Sequence, residues 1–173
     1  MSYYDLPIGD NAPDVFNVVV EIPKGSENKY EYDPDLHIFR LDRTLYSPMH
    51  YPGDYGFIPS TMGGDDDPLD VLVLVESPTF TGCVIEARSV GMLVMLDQGF
   101  EDQKLLCVST KDPRQETVKN YDDVHPHRSE KSSTSLVSTR SSKENGLNGG
   151  WRNAAEAREV IIAGRERFLS KHQ

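Results

Sequence analysis

Apolar positions gather in short β-branched runs over most of the chain and take up helical spacing only near its end. Residues 15–22 (VFNVVVEI) stop at Pro23, which has no amide proton to continue a ladder, and read as a strand. In KYEYDPDLHIFRLDR, polar and apolar positions alternate on both sides of DPDL, where Pro34 suits a turn, so a hairpin is expected. Further runs follow at residues 71–75, 84–87, 91–96 and 105–108, while YPGDYGF, with Pro52, Gly53 and Gly56, reads as a shaped loop. Short strands so closely spaced leave edges exposed unless the sheet closes, so the pattern predicts a small closed barrel. From Trp151 the period changes: Ala157, Val160, Ile161, Gly164 and Phe168 share one helical face, and Asn153 is placed to cap it. The expected fold class is α+β, one domain over residues 1–173, with a C-terminal helix packed on the barrel.

Composition supports one domain: at 173 residues, 37% hydrophobic and 27% charged, the chain can build a sizeable core. No apolar run reaches the length of a membrane span, and the first ten residues lack the basic-then-apolar order of a signal peptide. A cytoplasmic location with no membrane partner is expected. Cys83 and Cys107 sit within apolar runs and read as small core residues of a reducing compartment. The net charge of −10 disfavours a nucleic-acid partner, whose phosphates require a basic face, and favours cations.

The acids are concentrated at strand ends. GGDDDPLDVLVLVES sets Asp65, Asp67 and Asp70 before a buried run, and LVMLDQGFEDQKLL sets Asp97, Glu101 and Asp102 after another. Carboxylates gathered in one place repel unless cations neutralise them, and an all-oxygen donor set selects hard ions such as Mg²⁺ over Zn²⁺. An isolated acidic turn reads as solvated surface. An EF-hand is excluded because the mid-loop glycine is missing. The neighbouring residues favour a bound ligand: Lys29, Arg43 and Lys104 lie close to strands, and Tyr51 and Tyr55 flank the YPGDYGF segment. Cation-binding carboxylates together with Arg, Lys and Tyr are the parts needed to hold a polyphosphate.

Four segments, EIPKGSENKYEYD, LDRTLYSPMHYPGDYGFIPST, DDDPLDVLVL and DQGFEDQKLL, resemble the signature segments of soluble family I inorganic pyrophosphatases of bacterial type. The most specific is D-x-D-P-x-D at Asp65, Asp67, Pro68 and Asp70. The similarity runs from about residue 7 to 123 and resumes at Gly150 and Trp151. It implies a five-stranded OB-like barrel with flanking helices and hydrolysis of pyrophosphate to two phosphates by a metal-bridged hydroxide. It also implies several Mg²⁺ per site, with Mn²⁺ or Zn²⁺ as substitutes, and a homo-oligomer, typically a hexamer. Residue by residue, the resemblance makes Asp65, Asp70 and Asp102 metal ligands, with Asp97 and Glu101 assisting, and Asp67 the general base. Lys29, Arg43, Tyr55 and Lys104 would hold phosphate, while Glu21, Glu31 and Tyr51 would belong to the cavity wall.

The resemblance breaks in RSEKSSTSLVSTRSSKENGLNGG, residues 128–150, which is Ser-rich and reads as a flexible loop. The family carries a phosphate-contacting Tyr-Lys pair just before its Gly-Trp, and here residues 137–139 are Val, Ser and Thr. Joining the third base of each codon to the first two of the next permits L-R-E-I-E-H-F-F-x-x-Y-K-x-L-E-G-K-x-T-E over this stretch. That string is family-like and has the apolar spacing of a helix, so compensating frameshifts are one origin of the segment. Three readings stay open at this level. They are an active Mg²⁺ pyrophosphatase, a relative impaired by the altered segment, and an OB-like binding module.

Overall fold

The computed structural model describes residues 1–45, 51–97, 100–124 and 150–172, and leaves aside the side chains of 96, 97 and 100. Among the described residues eight strands form: β1 (Phe16–Ile22), β2 (Asn28–Asp33), β3 (Ile38–Thr44), β4 (Asp54–Ile58), β5 (Leu69–Leu74), β6 (Val84–Asp97), β7 (Phe100–Ser109) and β8 (Gly150–Asn153). The α-helix α1 (Ala154–Lys171) follows β8. The main sheet runs β1-β4-β5-β7-β6-β8, and β1 also pairs with β6. The first five of these strands therefore close on themselves in an OB-like ring, with β5 and β7 its parallel pair and β8 added outside on β6.

Closure explains why the central runs are almost wholly apolar. Val18, Val20, Val71, Val73, Leu105 and Cys107 point into the barrel interior, following the period of two. The alternate positions Leu72, Leu74, Leu106 and Val108 are buried as well, beneath Val124, Tyr121 and Trp151. Strands buried on both faces do not alternate, and their sequences read as continuous hydrophobic runs. The β2–β3 hairpin stands apart as its own two-stranded sheet, resting through Tyr32 and Phe39 on Val19 and Phe57.

Several expectations need adjustment. Residues 84–87 and 91–96 belong to one 14-residue strand, β6, whose register shifts between Ser89 and Gly91. YPGDYGF is no free loop, since its second half is β4. A Cβ at Gly56 would overlap the carbonyl oxygen of Val19, so glycine is what allows β4 to lie against β1. Strand β8, around Trp151, carried no period long enough to read. The helix follows the expectation closely. Asn153 accepts the amide of Glu156 at 2.9 Å and Glu156 accepts that of Asn153 at 3.0 Å, a capping box. Ala157, Ile161 and Gly164 are buried, Val160 packs beside them, and Phe168 stacks on His172. The expected further flanking helix and the Ser-rich segment fall on 125–149, outside the described residues. Among the described residues no helix is long and apolar enough to cross a membrane.

Candidate active site

Between the hairpin and the sheet lies a cavity of about 460 Å³. Its far wall comes from the hairpin. Lys29 and Arg43 are cross-strand partners there, and Glu31 lies two residues along β2. The DPDL turn that orients this hairpin is fastened by Asp33, whose Oδ1 accepts the amides of Asp35 at 3.1 Å and Leu36 at 3.0 Å. The near wall is the outer face of the barrel. Leu69 and Val71 face inward, so Asp70 between them faces outward, in register with Lys104 of the parallel strand β7. Tyr55 on β4 and Glu21 on β1 complete that face, and Tyr51 and Asp67 sit at its margins.

Lys104 is the charge centre of the near wall. It is only 6% exposed, donates to Asp70 Oδ2, lies 3.2 Å from Asp102 Oδ1, and holds its ammonium 5.7 Å from the Tyr55 ring centre. Asp102 lies two residues before Lys104 on β7, hence on the same face, and its other carboxylate oxygen is buried. On the opposite wall Lys29 is ion-paired with Glu31 and with Asp42 at 3.3 Å. Burial, the largest single influence, pulls the Lys29 pKa down, but Glu31 and Asp42 together outweigh it and the net shift is upward.

Two carboxyls in this space, Glu21 and Asp67, are hard to ionise. Glu21 accepts the Tyr32 amide at 2.8 Å, yet burial, with Asp70 and Glu31 adding to it, raises its pKa to about 7. Asp67 is shifted upward by burial first, then by Asp65, Asp70, Asp66 and Glu31. Tyr55 and Tyr4 are pushed up by burial and by the same acids, which keeps both as phenol donors.

Of the residues singled out in the sequence, Glu21, Lys29, Glu31, Arg43, Tyr51, Tyr55, Asp67, Asp70 and Lys104 line this cavity. Asp102 adjoins it through Lys104. Asp65 turns toward its own loop, its Oδ1 accepting the Asp67 amide at 3.3 Å. Glu101 is exposed near Gln103, and the Asp97 side chain lies outside the described residues. Tyr4, Tyr30 and Tyr32 also line the cavity and were not anticipated. The alternation in KYEYD pairs Tyr30 with Tyr32 and was a usable signal. Tyr4 had none, because it reaches the cavity from far away in sequence by packing edge-on against Tyr32 and Phe57.

Among the described residues no three His, Cys, Asp or Glu side chains converge closely enough to enclose a cation. A cation nevertheless suits the donor set. Asp70 and Asp102 already share one positive charge, the Lys104 ammonium, and all the neighbouring donors are oxygens suited to hard divalent ions.

An OB-like barrel whose outer face gathers paired acids, cations and phenols defines a class: a barrel protein built to hold a highly charged anion together with cations. The family model for inorganic pyrophosphatase matches residues 18–169. An inorganic pyrophosphatase of Synechocystis is 56% identical over 114 residues, 66% of this chain and 68% of that one. One from Halalkalibacterium halodurans is 53% identical over 116 residues, 67% of this chain and 71% of that one. The crystal structure of the Thermus thermophilus inorganic pyrophosphatase superposes with a TM-score of 0.90 at 40% identity, covering 98% of this chain and 99% of that one. The chain belongs to the inorganic pyrophosphatase family.

Proposed function

We propose that this chain hydrolyses inorganic pyrophosphate to two phosphates with Mg²⁺ as its cation, a divalent-metal requirement being what family membership implies. The observation that carries the reading is the single cavity joining Asp67 and Asp70 to Lys29, Arg43, Tyr55 and Lys104. Asp70 and Asp102, with Asp65, Asp97 and Glu101 as further donors, would hold the metal. When bound, such ions acidify water toward neutrality and neutralise phosphate oxygens.

The chain's own residues account for the rest. Asp67, a stronger base than a solvated aspartate because its pKa is raised, takes the proton of the attacking water. The water oxygen bonds to one phosphorus, the bridging P–O bond breaks, and the departing phosphate keeps the electron pair. Lys29 and Arg43, fixed opposite each other in the hairpin, face the charge that develops there. Tyr55 stays protonated and donates to a phosphate oxygen. Phosphate release measured with purified protein, pyrophosphate and Mg²⁺ tests the reading.

A homo-oligomer, a hexamer by family resemblance, is part of the same proposal. Leu36, Ile38 and Leu41, all exposed on the β2–β3 hairpin, support a surface covered by another copy, and light scattering of the purified protein would give the number. Cytoplasmic residence is proposed as well, supported by the two free thiols Cys83 and Cys107, and fractionation would test it.

A further inference from the structure

The acidic turn that carries Asp67 and leads into Asp70 does not stand on the barrel alone. Its entry residue, Met62, has both backbone polar groups engaged by the C-terminal helix. The Met62 amide donates to the carbonyl of Gly164 at 2.9 Å, and the Met62 carbonyl accepts from Arg167 Nη1 at 2.8 Å. The exit residue, Leu69, lies against the same helical turn, where a Cβ on Gly164 would come within 2.7 Å of Leu69 Cδ1 and 3.3 Å of the Met62 carbonyl. One turn further along α1, Lys171 pairs with Asp66 Oδ1 at 3.3 Å. Positions 164, 167 and 171 share one face of α1, and that face meets the turn at its start, its crest and its end.

The contact passes directly to the acids. Next to Met62, the Gly63 amide donates to the Asp67 carbonyl at 2.7 Å, and the Leu69 amide, adjacent to Asp70, donates to Thr61 Oγ1 at 3.1 Å. A displacement of Met62 would therefore move Asp67 through one hydrogen bond. A displacement of Leu69 would move Asp70 through one peptide unit.

We infer that α1 sets the geometry of the acidic turn, with Arg167 and the close approach at Gly164 as positioning residues for Asp67 and Asp70. The inference deepens the proposed pyrophosphatase reading and rests on it for the identity of the reaction. Arg167 itself is exposed, so its replacement leaves the core intact, and Arg167→Met keeps the apolar stem while removing the donors. A suitable control is Arg158→Ala, on the same helix, which removes an exposed pair with Asp14 far from the turn.

The experiment titrates metal-free protein with Mg²⁺ by calorimetry and measures kcat, KM and thermal unfolding for each variant. Partners that orient metal ligands typically contribute about 10–100-fold to metal affinity. Arg167→Met is expected to weaken Mg²⁺ binding about tenfold and lower kcat by a similar factor at saturating Mg²⁺, with little change in KM for pyrophosphate. Arg167→Lys, which restores a donor to the Met62 carbonyl, recovers most of both. Gly164→Ala, an independent disturbance of the same contact, weakens Mg²⁺ binding in the same direction, whereas Arg158→Ala affects neither quantity. If Arg167→Met and Gly164→Ala lower the unfolding temperature while Mg²⁺ affinity and kcat stay at wild-type values, the helix is only a structural cover and the inference is overturned. A wild-type chain that binds Mg²⁺ without hydrolysing pyrophosphate sinks the functional reading instead, and the calorimetric comparison still decides the role of α1.

Discussion

Glu21 feels both the burial and the negative charge of the cavity. Its folded pKa of about 7 stands above an ordinary value of 4.5, so between those limits the folded chain holds a proton that the unfolded chain releases. Stability therefore falls as pH rises through that window, and above it the folded state carries the full penalty. Glu21→Gln retains an acceptor for the Tyr32 amide and loses the charge. In metal-free buffer at pH 8 it should be more stable than the wild type by about 3 kcal/mol, the energy of that shift, with the gap closing near pH 4.5. Urea unfolding at several pH values checks this, and a gap independent of pH would remove Glu21 as its source. A second comparison separates two neighbouring acids. Asp67→Asn should slow turnover by about 10²–10⁴-fold, as loss of a base does, while leaving Mg²⁺ titration near wild type. Asp70→Asn should lose Mg²⁺ affinity and activity together, and a reversed pattern would exchange the two roles. A lone Lys or Arg in sequence reads as surface, so Lys29, Arg43, Tyr55 and Lys104 became candidate phosphate contacts only as a set beside the clustered acids, and the resemblance then gave each its expected role. Tyr4 was illegible because nothing local marks a residue that reaches the site by tertiary stacking.

At the scale of elements, apolar runs identified β1, β5 and β7 because closure buries them on both faces, and helical spacing with Asn153 identified α1. Strand β4 was hidden by its glycines. Gly53 and Gly56 read as turn residues, yet they serve close backbone approach, Gly56 to Val19 and Gly53 to Val73. The strand β6 looked like two runs because its register shift interrupts the pattern at Ser89–Gly91. Gly56→Ala should separate β4 from β1 and tilt Tyr55 away from the cavity. Overpacking of this kind costs about 1–3 kcal/mol or more, so the variant should unfold at lower urea and bind phosphate more weakly. Wild-type stability in that variant would mean that the two strands have room to part.

For the whole molecule, the barrel and the hairpin supply the two walls of the cavity and α1 packs on the turn that carries Asp67, so the site depends on their joint placement. The segment 128–149 lies outside that description, but its sequence is a separate test. The curated relatives align with only 66–73% of the chain, while the family model continues to residue 169 on the far side of that segment. Coding DNA compatible with L-R-E-I-E-H-F-F-x-x-Y-K in the shifted frame is the expected finding, and incompatible codons would exclude the frameshift. Restoring the Tyr-Lys pair should raise turnover or affinity by about one to several powers of ten, because charged hydrogen bonds of this kind contribute about 1.5–3 kcal/mol each. Equal rates would make the segment a tolerated variation. Phosphate release from pyrophosphate, measured with Mg²⁺ present and after its removal by chelation, decides whether this barrel carries a metal-dependent pyrophosphatase. Two phosphates per pyrophosphate are expected with Mg²⁺ and almost none without it. No release in saturating Mg²⁺, or release that survives chelation, would contradict it.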